Sequence, residues 1–293
     1  MKTSALIRTS LALACRHALQ WRLLLIWVIL LLLPTIFATA PIWMLMSSAF
    51  DHSVYAEQIA AQFDVTALGD FFMLLQQQRV VLGSAALGGA FSALLLSPLL
   101  SGMTISAINA DKPLSCSALI AGGMVEYGRM LRLLLLALLP IGLALAVAKM
   151  AHKAMEEYGD SVVLESQADW AWYGWLGLAL LLLVLTHVSV DAARAHFAID
   201  PNCRSAWRAM WRGMKMVFSR PLATLGCYIG ISLIGFLLVF ALIYLRINLP
   251  HASTAGVCLA LVFMQVMMVV VAWMRNARLF ALAAVARAQQ NQA

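Results

Sequence analysis

The sequence predicts an all-α, polytopic membrane protein with six transmembrane helices arranged as three hairpins, each preceded by an interfacial helix. Composition is the first ground for this. Of 293 residues, 63% are hydrophobic and only 11% are charged, with a mean hydropathy of +0.88. Soluble chains run at about 45–50% apolar and about 25% charged, so too few polar side chains remain to cover a water-facing surface. Segment length is the second ground. Residues 23–46, 80–103, 131–148, 173–190, 221–244 and 257–273 each approach the roughly 20 apolar residues needed to cross a hydrocarbon core about 30 Å thick. Pattern is the third. Runs such as 133–136 and 178–185 are apolar on every side, whereas membrane strands alternate apolar with polar residues. A soluble enzyme, a disordered chain and a disulfide-rich secreted module are thereby excluded.

Span one must be told apart from a secretory signal, because 23–33 resembles a signal core and Ala38-Thr39-Ala40 a cleavage site. Pro41 would follow the cut directly and the apolar run continues to Met46, so retention as the first transmembrane helix is expected. Pro34 and Pro41 interrupt span one, Pro98 span two and Pro140 span three. Each frees a backbone carbonyl, which reads as a kink or, alternatively, as lining for a substrate path. Residues 51–78 mix carboxylates with Ile59, Phe63, Phe71 and Phe72, which predicts a short helical cap; 150–169 is more acidic and helical at its start. Trp170, Trp172, Tyr173 and Trp175 read as an interfacial aromatic belt where span four begins.

Orientation follows from the cations. Sixteen of the 20 Lys and Arg residues fall on the side holding both termini, whereas nine of the 13 carboxylates fall on the other. By the positive-inside rule both termini are cytoplasmic, and the net +7 is a topology signal without bearing on nucleic acid. Arg79 runs against the rule; it reads as a snorkelling residue with Asp70 as partner, or as an anion contact. The five cysteines avoid the outer loops and show no metal or redox spacing.

Three repeat units, 1–103, 104–190 and 191–293, are suggested by two similarities. Ser4-Ala5-Leu6-Ile7 recurs as Ser117-Ala118-Leu119-Ile120, and at an offset of 88 residues Pro113, Ser117, Ala121 and Arg132 match Pro201, Ser205, Ala209 and Arg220. The third interfacial helix is the clearest of the set. At about 100° per residue, Arg204, Arg208, Arg212 and Lys215 share one arc, while Trp207, Met210, Trp211, Met214 and Phe218 lie opposite. Such a helix lies in the headgroup plane with its cations near lipid phosphates, or serves as a topology determinant packed under the bundle. Interfacial helices with Ser-Ala starts and basic ends, each followed by a hairpin, resemble the bacterial six-span inner-membrane proteins related to the membrane domain of glycerophosphoryl diester phosphodiesterases. The resemblance implies an accessory membrane module. Its catalytic domain has no counterpart here, so phosphodiesterase activity does not carry over.

Few residues invite chemistry. There is no phosphate loop, His-Glu-x-x-His, Gly-x-Ser-x-Gly or Cys-x-x-Cys, so neither catalysis nor a metal or other cofactor is expected. His187, Asp191, Arg194 and His196 form a polar cluster at the end of span four, readable as a cap with an ion pair or as a metal or proton site. Gly226 and Gly230 have the small-residue spacing of helix packing or a homodimer seam. The expected function is a non-enzymatic accessory, assembly or lipid-organising module. Its partners would be anionic membrane lipids and other membrane proteins or a second copy. The alternative is a small transporter or lipid-translocating protein.

Overall fold

The computed structural model describes residues 12–51, 54, 65–162, 164–248 and 254–290, and among them it contains helices and no strand. Residues 12–17 form α1. It is followed by α2 (Trp21–Met46), α3 (Val65–Gln77), α4 (Arg79–Ile108), α5 (Cys116–Ser161), α6 (Glu165–Ile199), α7 (Ala206–Ser219), α8 (Pro221–Ile247) and α9 (Thr254–Gln290). Six of these, α2, α4, α5, α6, α8 and α9, are long and apolar enough to cross a membrane; the chain is a multi-pass membrane protein. Pro34, Pro41, Pro98 and Pro140 all sit inside helices that continue past them, as membrane helices allow when neighbours satisfy the freed groups. A π-turn, Ser47–Asp51, ends the first span, with the Ser47 hydroxyl on the Asp51 carboxylate. The cap foreseen over 51–78 is present as α3, although Ile59 and Phe63 lie outside the described residues.

The interfacial helices differ from one another for a local reason. Ser205 caps α7, its Oγ accepting the Arg208 N–H at 3.4 Å, and Pro221 starts α8, where the missing N–H costs nothing. The chain therefore breaks at Arg220 and leaves α7 as a separate helix. Ser115 caps α5 in the same manner, accepting the Ala118 N–H at 3.2 Å, but 88 residues before Pro221 stands Leu133. With no proline at that boundary, the second interfacial segment is not a separate helix. It is the first stretch of α5, which runs 46 residues, about 69 Å at 1.5 Å per residue. The first interfacial segment lies largely in residues 1–11, outside the described residues, so Ser4 to Ile7 cannot be placed against Ser117 to Ile120.

Packing concentrates at one end of the bundle, the end rich in Lys and Arg. Trp27, Met103, Leu133, Phe197, Ile231 and Leu282 are all sealed there, one from each spanning helix. The last part of α9 runs through this end, contacting α2, α4, α6 and α8, and its buried face is lined by Ala272, Ala277, Ala281 and Ala286. Small side chains let backbones approach where lipid gives helices no hydrophobic reason to associate. Towards the acid-rich end, Leu143, Leu181, Phe240 and Met264 are exposed and form the lipid-facing surface.

Glycines mark the closest crossings. A Cβ on Gly102 would lie 2.9 Å from the Gly123 carbonyl oxygen, and one on Gly213 would lie 2.6 Å from the Ala193 nitrogen, so α4 meets α5, and α6 meets α7, backbone to backbone. Gly226 has nothing within 4 Å of its would-be Cβ; it makes no close helix contact within the chain. Gly102→Val and Gly213→Val are accordingly expected to cost about 1–3 kcal/mol each by overpacking, read as a lowered thermal midpoint in detergent. Gly226→Val should change it by less than about 0.5 kcal/mol.

Candidate functional site

The face of α7 divides into three sectors. Ala209, Met210, Gly213, Met216 and Val217 are buried and seat the helix mainly on α6. Trp207 and Trp211 are 65% and 62% exposed and Phe218 is exposed as well, so half of the apolar side faces away from the protein. Beside the two indoles, Leu136, Leu139, Pro140 and Leu143 of α5 complete an apolar groove of about 270 Å3. Arg208, Arg212 and Lys215 occupy the third sector and are exposed; Arg204 is exposed too, but it lies before the Ser205 cap and so is outside the helix on whose arc the sequence placed it. The four cations are not equivalent. Arg212 Nη1 pairs with Asp200 Oδ2 at 2.9 Å, tying α7 to the end of α6, while Arg204, Arg208 and Lys215 form no ion pair among the described residues.

The end of α6 is also held from α5, by a residue that the sequence offers only as one of a spaced charge row, Glu126, Arg129 and Arg132. Arg129 of α5 pairs with Glu126 at 2.8 Å. Its other Nη donates to the carbonyls of Asp200 at 3.1 Å and Phe197 at 3.4 Å. The guanidinium also lies 4.7 Å from the centroid of the Phe197 ring. A cation on the last carbonyls of α6 satisfies acceptors that have no intrahelical donor and opposes the negative end of the helix dipole.

The polar cluster of span four does not hold together as a unit. Asp191 is buried and pairs with Arg194 at 2.7 Å, facing α8 and α9. His187 is exposed and its Nδ1 donates to the Leu183 carbonyl of its own helix at 2.9 Å, so it does not engage Asp191. His196 is buried with both ring nitrogens enclosed, and with Asp200, Arg212 and Gln289 it borders a cavity of about 330 Å3. Among the described residues no group of three His, Cys, Asp or Glu is placed to hold a metal.

Two arginines counted in the sequence only as topology signals join the Asp191–Arg194 pair. Arg275 Nη2 donates to Ser97 Oγ at 3.2 Å, and Arg278 Nη1 donates to the Tyr228 hydroxyl at 2.9 Å. Arg194, Arg275, Arg278, Asp191 and Tyr228 lie within electrostatic reach of one another. The clue that could have found them is an i, i+3 arginine pair directly after an apolar span.

At the acid-rich end, the aromatic group splits as well. Trp170 and Tyr173 face outward. Trp175 instead donates its Nε1–H to the Ala148 carbonyl at 2.8 Å and packs edge-on to His152 with centroids 4.8 Å apart. Arg79 is exposed and forms no ion pair with Asp70. Gly230 is half-buried in α8.

Replacing Arg129 by Gln should cost about 1.5–3 kcal/mol of stability for loss of partly buried charge-assisted bonds, read as a lowered thermal midpoint. Arg212→Gln, at a half-exposed pair, should cost less than about 1 kcal/mol. Comparison with known proteins brings no relative: no protein-family model matches the chain, and neither a curated protein nor a solved structure does.

Proposed function

We propose that this chain is a non-enzymatic accessory module of a bacterial inner membrane that organises anionic lipid, with both termini cytoplasmic. One observation carries the reading: on α7 the exposed Trp207, Trp211 and Phe218 adjoin a sector holding Arg208 and Lys215, with Arg204 just before the helix, three cations that form no ion pair among the described residues, beside an apolar groove shared with α5. The indoles suit the acyl chain and its glycerol boundary, and the guanidinium and ammonium groups suit the phosphate above it. The resemblance to the membrane domain of glycerophosphoryl diester phosphodiesterases supports an accessory role. The segregation of cations to one end supports the orientation.

A second reading, a lipid-translocating protein, draws on a wider apolar groove of about 980 Å3 between α2 and α4, lined by Phe37, Pro41, Met44 and Gly88 among others. In proteoliposomes, faster transbilayer exchange of a labelled phospholipid than in empty vesicles would favour it over the accessory reading.

Orientation is read by alkaline-phosphatase fusions: one after Asp160 should be active and one after Arg212 inactive, and the reverse result refutes cytoplasmic termini. Lipid selection is read by native mass spectrometry of the full chain released from mixed nanodiscs. At about 1 kcal/mol per cation, Arg204, Arg208 and Lys215 together should give up to roughly 100-fold preference for phosphatidylglycerol over phosphatidylcholine at low salt, falling as ionic strength rises. Arg204→Gln, Arg208→Gln and Lys215→Gln combined should abolish that preference, whereas Trp207→Ala with Trp211→Ala should weaken retention of both lipids. Equal retention of the two lipids by the unmodified chain removes the lipid reading.

A further inference from the structure

Arg275 and Arg278 carry charge that the fold does not balance. Arg275 has Ser97 as hydrogen-bond acceptor and the ring of Trp27 beneath it, 5.5 Å from guanidinium carbon to centroid. Arg278 has the Tyr228 hydroxyl, the Ser232 hydroxyl at 3.5 Å and the Tyr228 ring at 4.7 Å. Every one of these partners is neutral. Asp191 is within electrostatic reach, but its carboxylate is already held by Arg194. Of the other acids at this end, Glu126 holds Arg129 and Asp200 holds Arg212, and Asp111 lies beside Lys112 in a separate cleft.

Donors are in excess as well as charge. Arg278 Nε, Trp27 Nε1 and Asn276 Nδ2 are enclosed without a hydrogen-bond partner among the described residues, while the Asn276 carbonyl already accepts from Thr104 at 2.8 Å. An unpaired buried cation and orphaned N–H groups are each destabilising, and an acceptor-only anion relieves both. The guanidinium fork matches tetrahedral oxyanions in particular. Arg275 stands two residues beyond the predicted end of span six, at the edge of the hydrocarbon, and both arginines keep part of their surface exposed.

We propose that Arg275 and Arg278, backed by Arg194, bind a phosphate group at the packed end of the bundle, either as free phosphate or as the phosphodiester of a membrane lipid. Residues from α2, α4, α6, α8 and α9 surround it, so its binding ties five helices together. The site uses none of the α7 cations and goes beyond the lipid-surface reading.

The test uses the full chain, delipidated in dodecyl maltoside, with thermal stability as readout. Inorganic phosphate is titrated against chloride at constant ionic strength in one arm, and dioleoyl phosphatidylglycerol against dioleoylglycerol in the other. A saturable rise in midpoint with phosphate assigns the free anion; a rise with phosphatidylglycerol alone assigns the lipid headgroup. In either case Arg275→Lys and Arg278→Lys, which keep charge but lose the planar fork, should raise the half-saturating concentration by roughly tenfold. Lys153→Gln, at an exposed residue of the acid-rich end, should leave it unchanged. Asp191→Asn, which frees Arg194 from its carboxylate, should lower it, a gain that loss of a purely structural contact does not produce. No rise with either ligand, or half-saturation unmoved in both lysine variants, overturns the proposal.

Discussion

Helices already inside a bilayer gain nothing hydrophobic by touching, because lipid tails are as apolar as leucine; what holds them is close packing and polar contact. This constraint explains the uneven build of the molecule. Nearly all of its sealed side chains sit at the basic end, and so do the buried polar groups Ser97, Ser101, Thr104, Asp191, Thr224 and Asn276. The alanine face of α9 supplies the close approach and the Thr104–Asn276 bond supplies a polar link from α4 to α9. Gly102 and Gly213 extend the same device to α5 and α7. Away from that end, α2 and α4 cross where a Cβ on Gly89 would lie 2.7 Å from Ala38 Cβ, and Trp175 reaches back to α5.

That asymmetry also sets how α7 is held. Its seat on α6 is a backbone crossing at Gly213, and Arg212 pairs with Asp200 at the end of α6, whose last carbonyls Arg129 of α5 also holds. The end of α6 is thus the junction of three elements. Because the helix is fixed through its buried sector, the tryptophans and the cations are left outward at a constant angle, which a helix merely lying on lipid would have to acquire from the bilayer.

The spans were legible because crossing a membrane is a property of local composition, and the sidedness of α7 because helical periodicity is local too. What stayed hidden depends on neighbours. Arg129 reads in sequence as one of a spaced charge row with Glu126, and nothing in the chain announces that it reaches residues 197 and 200. Gly226 and Gly230 have the right spacing for a packing face, yet spacing cannot tell a face turned to a helix from one turned to lipid, and Gly226 faces open space. The fusion of the second interfacial segment with its span was legible in principle, since Leu133 stands where the third unit has Pro221. The polar cluster divides for a geometric reason: the expected Asp191–Arg194 ion pair forms, whereas His187, on the same helix face, bonds its own backbone.

The positive-inside rule counts cations without regard to where they sit, and here the distinction changes their meaning. On and just before α7 the exposed Arg204, Arg208 and Lys215 act through high-dielectric surroundings and are screened within about 10 Å at ordinary salt, so they can bias orientation and gather anionic lipid without choosing among its members. Arg275 and Arg278 are set among Trp27, Tyr228 and Ser97, where screening is weaker and the same charges interact far more strongly. A topology signal needs only the first kind. Two guanidiniums placed inside the packed end, next to a carboxylate that is already paired, cost the fold stability that exposed cations would not, and that cost is relieved by a negatively charged group held among them.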